Sequence, residues 1–206
     1  MAFGRHWEWR GFGTPRPELI DAVRGLPRLF EAPQEIVDRY LWSPDCDLNL
    51  KLRSGDFKIK RLVDRRSDGV EEWLESPDEN FSFPIDSRVL EEVARRLGVD
   101  SVPVSADGIA TADELLEALC GGESQVRMID VDKLRWQHSG IGGGAAIIEY
   151  AEIRAPEPIV SIGVEDEEES RVRAALEVLG LPGNLRTASY RDALDIWGRG
   201  GRISRA

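Results

Sequence analysis

From Leu48 to Lys60 apolar and polar residues alternate with a period of two on either side of a Ser54-Gly55-Asp56 turn. Leu48, Leu50, Leu52, Phe57 and Ile59 fall in one phase, and Lys51, Arg53, Lys58 and Lys60 in the other. That pattern predicts a β-hairpin with one apolar and one cationic face. Like charges on paired strands repel unless solvent or an anion separates them. The hairpin therefore presents either a solvated cationic face or an anion site.

The same alternation predicts further strands over residues 3–12, Glu35–Trp42, Val70–Glu75, 124–138, Ala145–Ile153 and Pro158–Val164. In the first, His6, Glu8 and Arg10 share one side, and Trp7 and Trp9 share the other, facing a helix. Helical spacing of apolar residues appears over Pro17–Phe30, Asp86–Leu97, a segment capped by Thr111 with Glu114 in capping-box position, Asp166–Leu179 and Ser189–Trp197. Asp64–Gly69 reads as a polar connection, Ser76–Pro84 as irregular and exposed, Asp100–Gly108 as a loop with room for a short strand, and 198–206 as a frayed tail. About eight strands, mostly meandering, with helices inserted midway and at the C-terminus, predict an α+β protein: an eight-stranded antiparallel β-barrel in a single domain over residues 1–206.

Composition narrows the function more than the fold. A net charge of −11 on 206 residues argues against nucleic-acid and anionic-membrane partners. No apolar run is long enough to cross a bilayer, and the N-terminal residues lack the apolar stretch of a secretion signal. Two cysteines far apart, Cys46 and Cys120, fit free thiols in a reducing cytoplasm. A basic face in an acidic protein points to a small anionic ligand.

Several familiar motifs fail on context. Gly140-Ile141-Gly142-Gly143-Gly144 has no following Lys-Ser/Thr and leads into a strand, so it reads as a hairpin turn. His6 and His138 are the two histidines, and neither sits beside a nucleophile motif. Glu165–Glu169 reads as a solvated helix start, and Trp42, Trp73 and Trp136 as packing residues. What remains is a set of strand cations, Arg10, Lys51, Arg53, Lys58, Lys60, Lys133 and Arg135, with strand carboxylates Glu8, Glu72 and Glu149. Converging Arg and Lys suit a phosphate-rich small molecule, because each phosphate takes charge-assisted donors. Carboxylates among them could hold Mg²⁺, which takes one or two carboxylates plus phosphate oxygens.

In this order along the chain, the motifs resemble the CYTH family, the triphosphate tunnel metalloenzymes, whose members include class IV adenylate cyclases, thiamine triphosphatases and inorganic triphosphatases. The resemblance rests on Tyr40-Leu41, Pro44-Asp45, Leu50-Lys51-Leu52-Arg53, Gly55 and Lys58-Ile59-Lys60, then on Val131–Trp136, Ile148-Glu149, Ile159–Leu181 and Ala188-Ser189-Tyr190. It implies an eight-stranded tunnel with basic walls around a triphosphate, and glutamates holding Mg²⁺ or Mn²⁺ for phosphoanhydride chemistry. Arg10, Lys51, Arg53, Lys58, Lys60, Lys133 and Arg135 would bind substrate, and Glu8, Glu72 and Glu149 the metal. The register of Glu71, Glu72 and Glu75 stays open. The chain departs from the family pattern at His6 and Arg10, in place of a glutamate and a lysine, and at Ser161 and Gly163, in place of two glutamates. Glu165 lies in the same strand phase. The metal site is thus two carboxylates short.

Three readings follow: a metal-dependent triphosphatase, a phosphate- or acidic-ligand-binding module that has lost its metal site, and a structural protein whose lysine face is merely solvated.

Overall fold

The computed structural model describes residues 4–100, 108–121, 124–141 and 144–205. Its strands are β1 (Gly4–Gly13), β2 (Gln34–Trp42), β3 (Leu48–Arg53), β4 (Asp56–Arg65), β5 (Glu71–Glu75), β6 (Asn80–Ser82), β7 (Arg127–His138), β8 (Ile147–Ala155), β9 (Ile159–Asp166) and β10 (Arg186–Thr187). The helices are α1 (Pro17–Arg24), α2 (Ser87–Leu97), α3 (Ala112–Cys120), α4 (Glu169–Leu179) and α5 (Tyr190–Gly198).

The strands pair antiparallel in the order β1-β5-β4-β3-β2-β7-β8-β9, and β9 pairs back onto β1. The eight-stranded antiparallel barrel is therefore closed, with helices inserted midway and at the C-terminal end as the pattern predicts. The β3–β4 turn explains its own residues. Ser54 and Gly55 both have positive φ, 54° and 87°. That is the signature of a two-residue turn whose twist matches the strands.

The hairpin's two faces are deployed inside out. Leu48, Leu50, Leu52, Phe57 and Ile59 are buried, but on the outer surface of the barrel, in one cluster with Leu90, Val93 and Leu97 of α2 and Leu115 and Leu119 of α3. The cationic phase points inward. A second outer cluster joins Trp9, Tyr150, Ile162 and Val164 to α1 and α4 through Leu19, Val23, Val172 and Ala175. Inside the barrel, the inward column of each strand grades from apolar to charged. Phe12, Tyr40, Trp42, Val131, Ile153 and Ile159 pack with Tyr190, Leu194 and Trp197 of α5 and plug one end. Beyond them the same columns turn polar: Arg10 and Glu8 on β1, Lys133 and Arg135 on β7, Glu149 on β8.

Helix ends follow local chemistry. Asp86 caps α2 by accepting from Arg88 N at 2.8 Å, and Gly98 closes it in the left-handed region. Thr111 caps α3, while the Glu114 carboxylate accepts from Ala110 N at 2.9 Å. A complete capping box of Ser189 and Asp192 starts α5.

Five expectations need correction. Helix α1 stops at Arg24, because Gly25 caps it ahead of Pro27. Strand β4 runs on through Arg65 instead of yielding at Asp64, since it pairs with β5 to Glu71. Asp166 ends β9 and accepts from Glu168 N at 2.9 Å, so the following helix starts at Glu169. Within Ser76–Pro84, Asn80–Ser82 forms β6 on the free edge of β4. The tail expectation also fails over 199–205: Ile203 is buried in the α5 cluster, and Glu157 accepts from Ile203 N, Ser204 N, Ser204 Oγ and Trp197 Nε1 at 2.6–3.1 Å. The short-strand expectation in Asp100–Gly108 lies mostly outside the described residues.

Candidate functional site

The barrel encloses a cavity of about 80 Å³. All seven cations of the sequence reading line it: Arg10, Lys51, Arg53, Lys58, Lys60, Lys133 and Arg135. Glu8 and Glu149 line it too. Glu72 does not. It points outward to pair with Arg5 at 3.1 Å, while Trp73 and Glu75 face the cavity. Both phases of Val70–Glu75 carry carboxylates, so alternation alone could not choose; pairing with β1 and β4 makes the choice. Trp73 is thereby a wall residue under Lys60, whose Nζ lies 5.8 Å from its ring centre.

The carboxylates are largely spent on the cations around them. Glu149 accepts from Arg10 at 2.9 Å and from Arg135 at 3.4 Å, with Lys133 Nζ at 3.8 Å. Burial pushes its carboxyl up, but Lys133, Arg10 and Arg135 hold it well below the usual range. Glu8 accepts from Arg10 at 2.9 Å and has Lys60 at 3.6 Å, and those two cations outweigh burial to bring it to about 2. Asp38, fully buried, is held bidentately by Arg53 and approached by Lys133 at 3.4 Å. Its carboxyl sits at about 2 despite burial. The sequence reading missed Asp38, although it stands at the head of the hairpin segment.

Two cations are left over. Lys51 and Lys58 sit directly opposite each other on β3 and β4, and neither has an ion pair among the described residues. Burial, then Arg53, Lys60 and Lys133, lower the Lys51 ammonium to about 7 against a partial pull from Asp38. Asn49, Gln137, Tyr40, Ser189 and Tyr190 supply the remaining polar wall. Lys133 donates to Tyr190 Oη at 3.1 Å.

At the other mouth, His6, Glu75, Glu165, Asp166 and Arg171 line a second recess of about 280 Å³. His6, Glu8 and Glu165 bring one ligand atom each within 4.8 Å of one another. The Glu165 Oε1 atom is buried with no hydrogen-bond partner among the described residues. Burial, then the facing Glu8, raises its carboxyl. Burial, then Lys60, lowers the His6 imidazole, which favours the neutral, metal-ligating form. The expected metal set of Glu8, Glu72 and Glu149 thus does not hold together: Glu72 is outside and Glu149 is saturated by cations. The residues whose ligand atoms do converge are His6, Glu8 and Glu165, a mixed nitrogen–oxygen set in which Glu8 is already shared with Arg10 and Lys60.

A closed eight-stranded antiparallel barrel with a basic interior and helices packed outside is the fold that the motif resemblance implies, and solved structures share it. Among solved structures, the chain is similar to the putative adenylyl cyclase HpAC1 from Hippeastrum, described as having a dominant triphosphatase activity. That match has 16% identity and a TM-score of 0.51, and covers 98% of this chain and 97% of that one. A conserved hypothetical protein from Pyrococcus furiosus also matches, with 15% identity, a TM-score of 0.48 and coverage of 85% and 91% of the two chains. No protein-family model matches the chain. No curated protein matches it either. No helix among the described residues is long and apolar enough to cross a membrane.

Proposed function

We propose that the barrel binds a phosphate-rich small molecule, a triphosphate or longer polyphosphate, in its interior. The observation that carries this is the Lys51–Lys58 pair, two facing, half-buried cations that make no ion pair among the described residues and feel Asp38 and Glu75 only at longer range. A fold that confines such a pair loses stability unless an anion meets them, since burial of unpaired charge is costly. Arg53, Lys60 and Lys133 act on Lys51 from the same cavity wall, and Arg135 lines it too. The triphosphatase activity described for the Hippeastrum protein supports the same ligand class. Two unpaired thiols, Cys46 and Cys120, agree with a reducing cytoplasm as the site of action.

Titration calorimetry with inorganic triphosphate in EDTA tests the reading. Micromolar-class binding is expected, weakened at least tenfold in Lys51→Ala and Lys58→Ala with no loss of thermal stability. Absence of binding in the wild type would return the lysine face to a purely structural role.

A second reading, phosphoanhydride hydrolysis, is favoured by the buried, unpartnered Glu165 Oε1 beside His6 and Glu8. A divalent ion held there would supply Lewis-acid stabilisation of phosphate charge. In this chain's own residues, the cationic wall would hold the phosphates, and Glu165 would give up its proton as an ion binds beside them. Phosphate release that needs Mn²⁺ or Mg²⁺ and is lost in Glu8→Gln and Glu165→Gln would establish it. Binding without release would leave a recognition module.

A further inference from the structure

Two departures from the family pattern meet in space. Gly163 on β9 stands directly opposite Arg10 on β1. A Cβ at position 163 would lie 2.6 Å from Arg10 Nη2 and 2.8 Å from Cζ, closer than any side chain tolerates. The absent side chain is the space the guanidinium occupies. Nothing in the Gly163 backbone itself calls for glycine, because Gly163 is not among the residues with positive φ. Ser161, two residues back in the same inward column, accepts from Arg10 Nη1 at 2.7 Å. The guanidinium is completed by Glu8 on Nε and Glu149 on Nη1, both at 2.9 Å, and its Cζ lies 4.6 Å from the centre of the Tyr190 ring. Nη2 makes no hydrogen bond among the described residues, while Arg10 lines the cavity.

We infer that Arg10, seated on Gly163, is a resident cation that makes phosphate binding in this tunnel independent of a divalent metal. The inference rests on the polyphosphate reading and adds how the charge is met. A metal on this side would need oxygens of Glu149 and Glu8, and the guanidinium already holds one oxygen of each. Arg135 and Lys60 crowd the other oxygens, and Lys133 lies 3.8 Å from the Glu149 oxygen that Arg10 holds. Exchanging this arginine for a hydrated dication would strand three neighbouring cations without counter-charge. The planar guanidinium also keeps a donor edge, Nη2, for the ligand. A lysine could not hold Glu8, Glu149 and Ser161 and still present one.

The test is calorimetric titration with inorganic triphosphate, in EDTA and in excess Mg²⁺, on the wild type, Arg10→Lys, Gly163→Ala and the double variant. Phosphate release and thermal melting are followed in the same samples. The expected result is equal wild-type affinity with and without Mg²⁺. Arg10→Lys and Gly163→Ala should each lose at least tenfold, and the alanine should cost nothing further in the Arg10→Lys background, where the guanidinium it displaces is gone. Wild-type binding that needs Mg²⁺, or Arg10→Lys binding as tightly as wild type, would overturn the inference and leave the polyphosphate reading standing. Additive losses in the double variant would overturn the Gly163 seat. No binding under any condition would refute the polyphosphate reading itself. If Gly163→Ala fails to fold, Arg10→Lys, which introduces no atoms into the seat, still decides the metal question.

Discussion

Lys51 is the side chain whose chemistry is most exposed to experiment. Its free ammonium titrates near 7 because burial and Arg53 disfavour charge, and a bound anion would restore the proton. Above that pH, binding should take up a proton, and affinity should fall by up to about tenfold per pH unit. Triphosphate titrations in buffers of different ionisation enthalpy measure both. In the free protein the sign runs the other way. Between about pH 7 and the unfolded lysine value the unfolded chain binds the extra proton, so stability contributed by Lys51 rises with pH. Glu71 is the complementary case: burial raises its carboxyl to about 7 against the pull of Arg65, helped by Glu8 and Asp192. The folded state then holds a proton that the unfolded state has lost from about 4.3 upward, so stability falls as pH rises to 7. Glu71→Gln should flatten that slope in chemical denaturation at several pH values, and raise stability at pH 8.

At the scale of elements, the outer hairpin face and its helical cover form one packing unit. Leu50 and Leu90 are fully buried in it, and alanine at either should cost about 2–5 kcal/mol. Asp86→Ala, which removes the α2 cap, should cost about 1 kcal/mol. Denaturant midpoints separate these from any effect on ligand affinity. The strands, the helices and their caps were legible in the sequence because a period of two or of 3.6 and a cap residue are local signals. Which face of a strand looks into the barrel is not local. Alternation in Leu48–Lys60 defines two faces, and only closure of β9 onto β1 decides that the lysines go inside. Glu75 was hidden for the same reason, sharing a short strand with Glu71 and Glu72 in opposite phases. The fit of Arg10 to Gly163 was illegible, because it joins strands far apart in the chain through the absence of atoms. Strand phase picked out the cations, all of which reached the cavity, together with Glu8 and Glu149; Glu72 was misplaced because its strand's register is not local.

Over the whole molecule, the barrel is stoppered at the α5 end by an apolar plug whose last member is the C-terminal segment. The carboxylate of Glu157 gathers four hydrogen bonds from Trp197, Ile203 and Ser204. Those bonds hold it below its usual range although burial opposes them. Removing residues 202–206, or Glu157→Gln, should therefore destabilise the protein by about 1–3 kcal/mol. In hydrogen exchange, protection should be lost first in α5 and β10, with α2 and α3 unaffected.

Because the hairpin turns its apolar side outward, what holds this protein together and what it can do chemically occupy different volumes. The hydrophobic packing lies in a sheath between strands and helices and in the plug at the α5 end, and the inward positions around the lysines contribute little to it. A barrel built this way can rewrite its interior, setting a serine, a glycine and an arginine among its charges, without renegotiating its stability. Function can then drift here much faster than shape, and chains with almost no sequence in common can keep the same barrel.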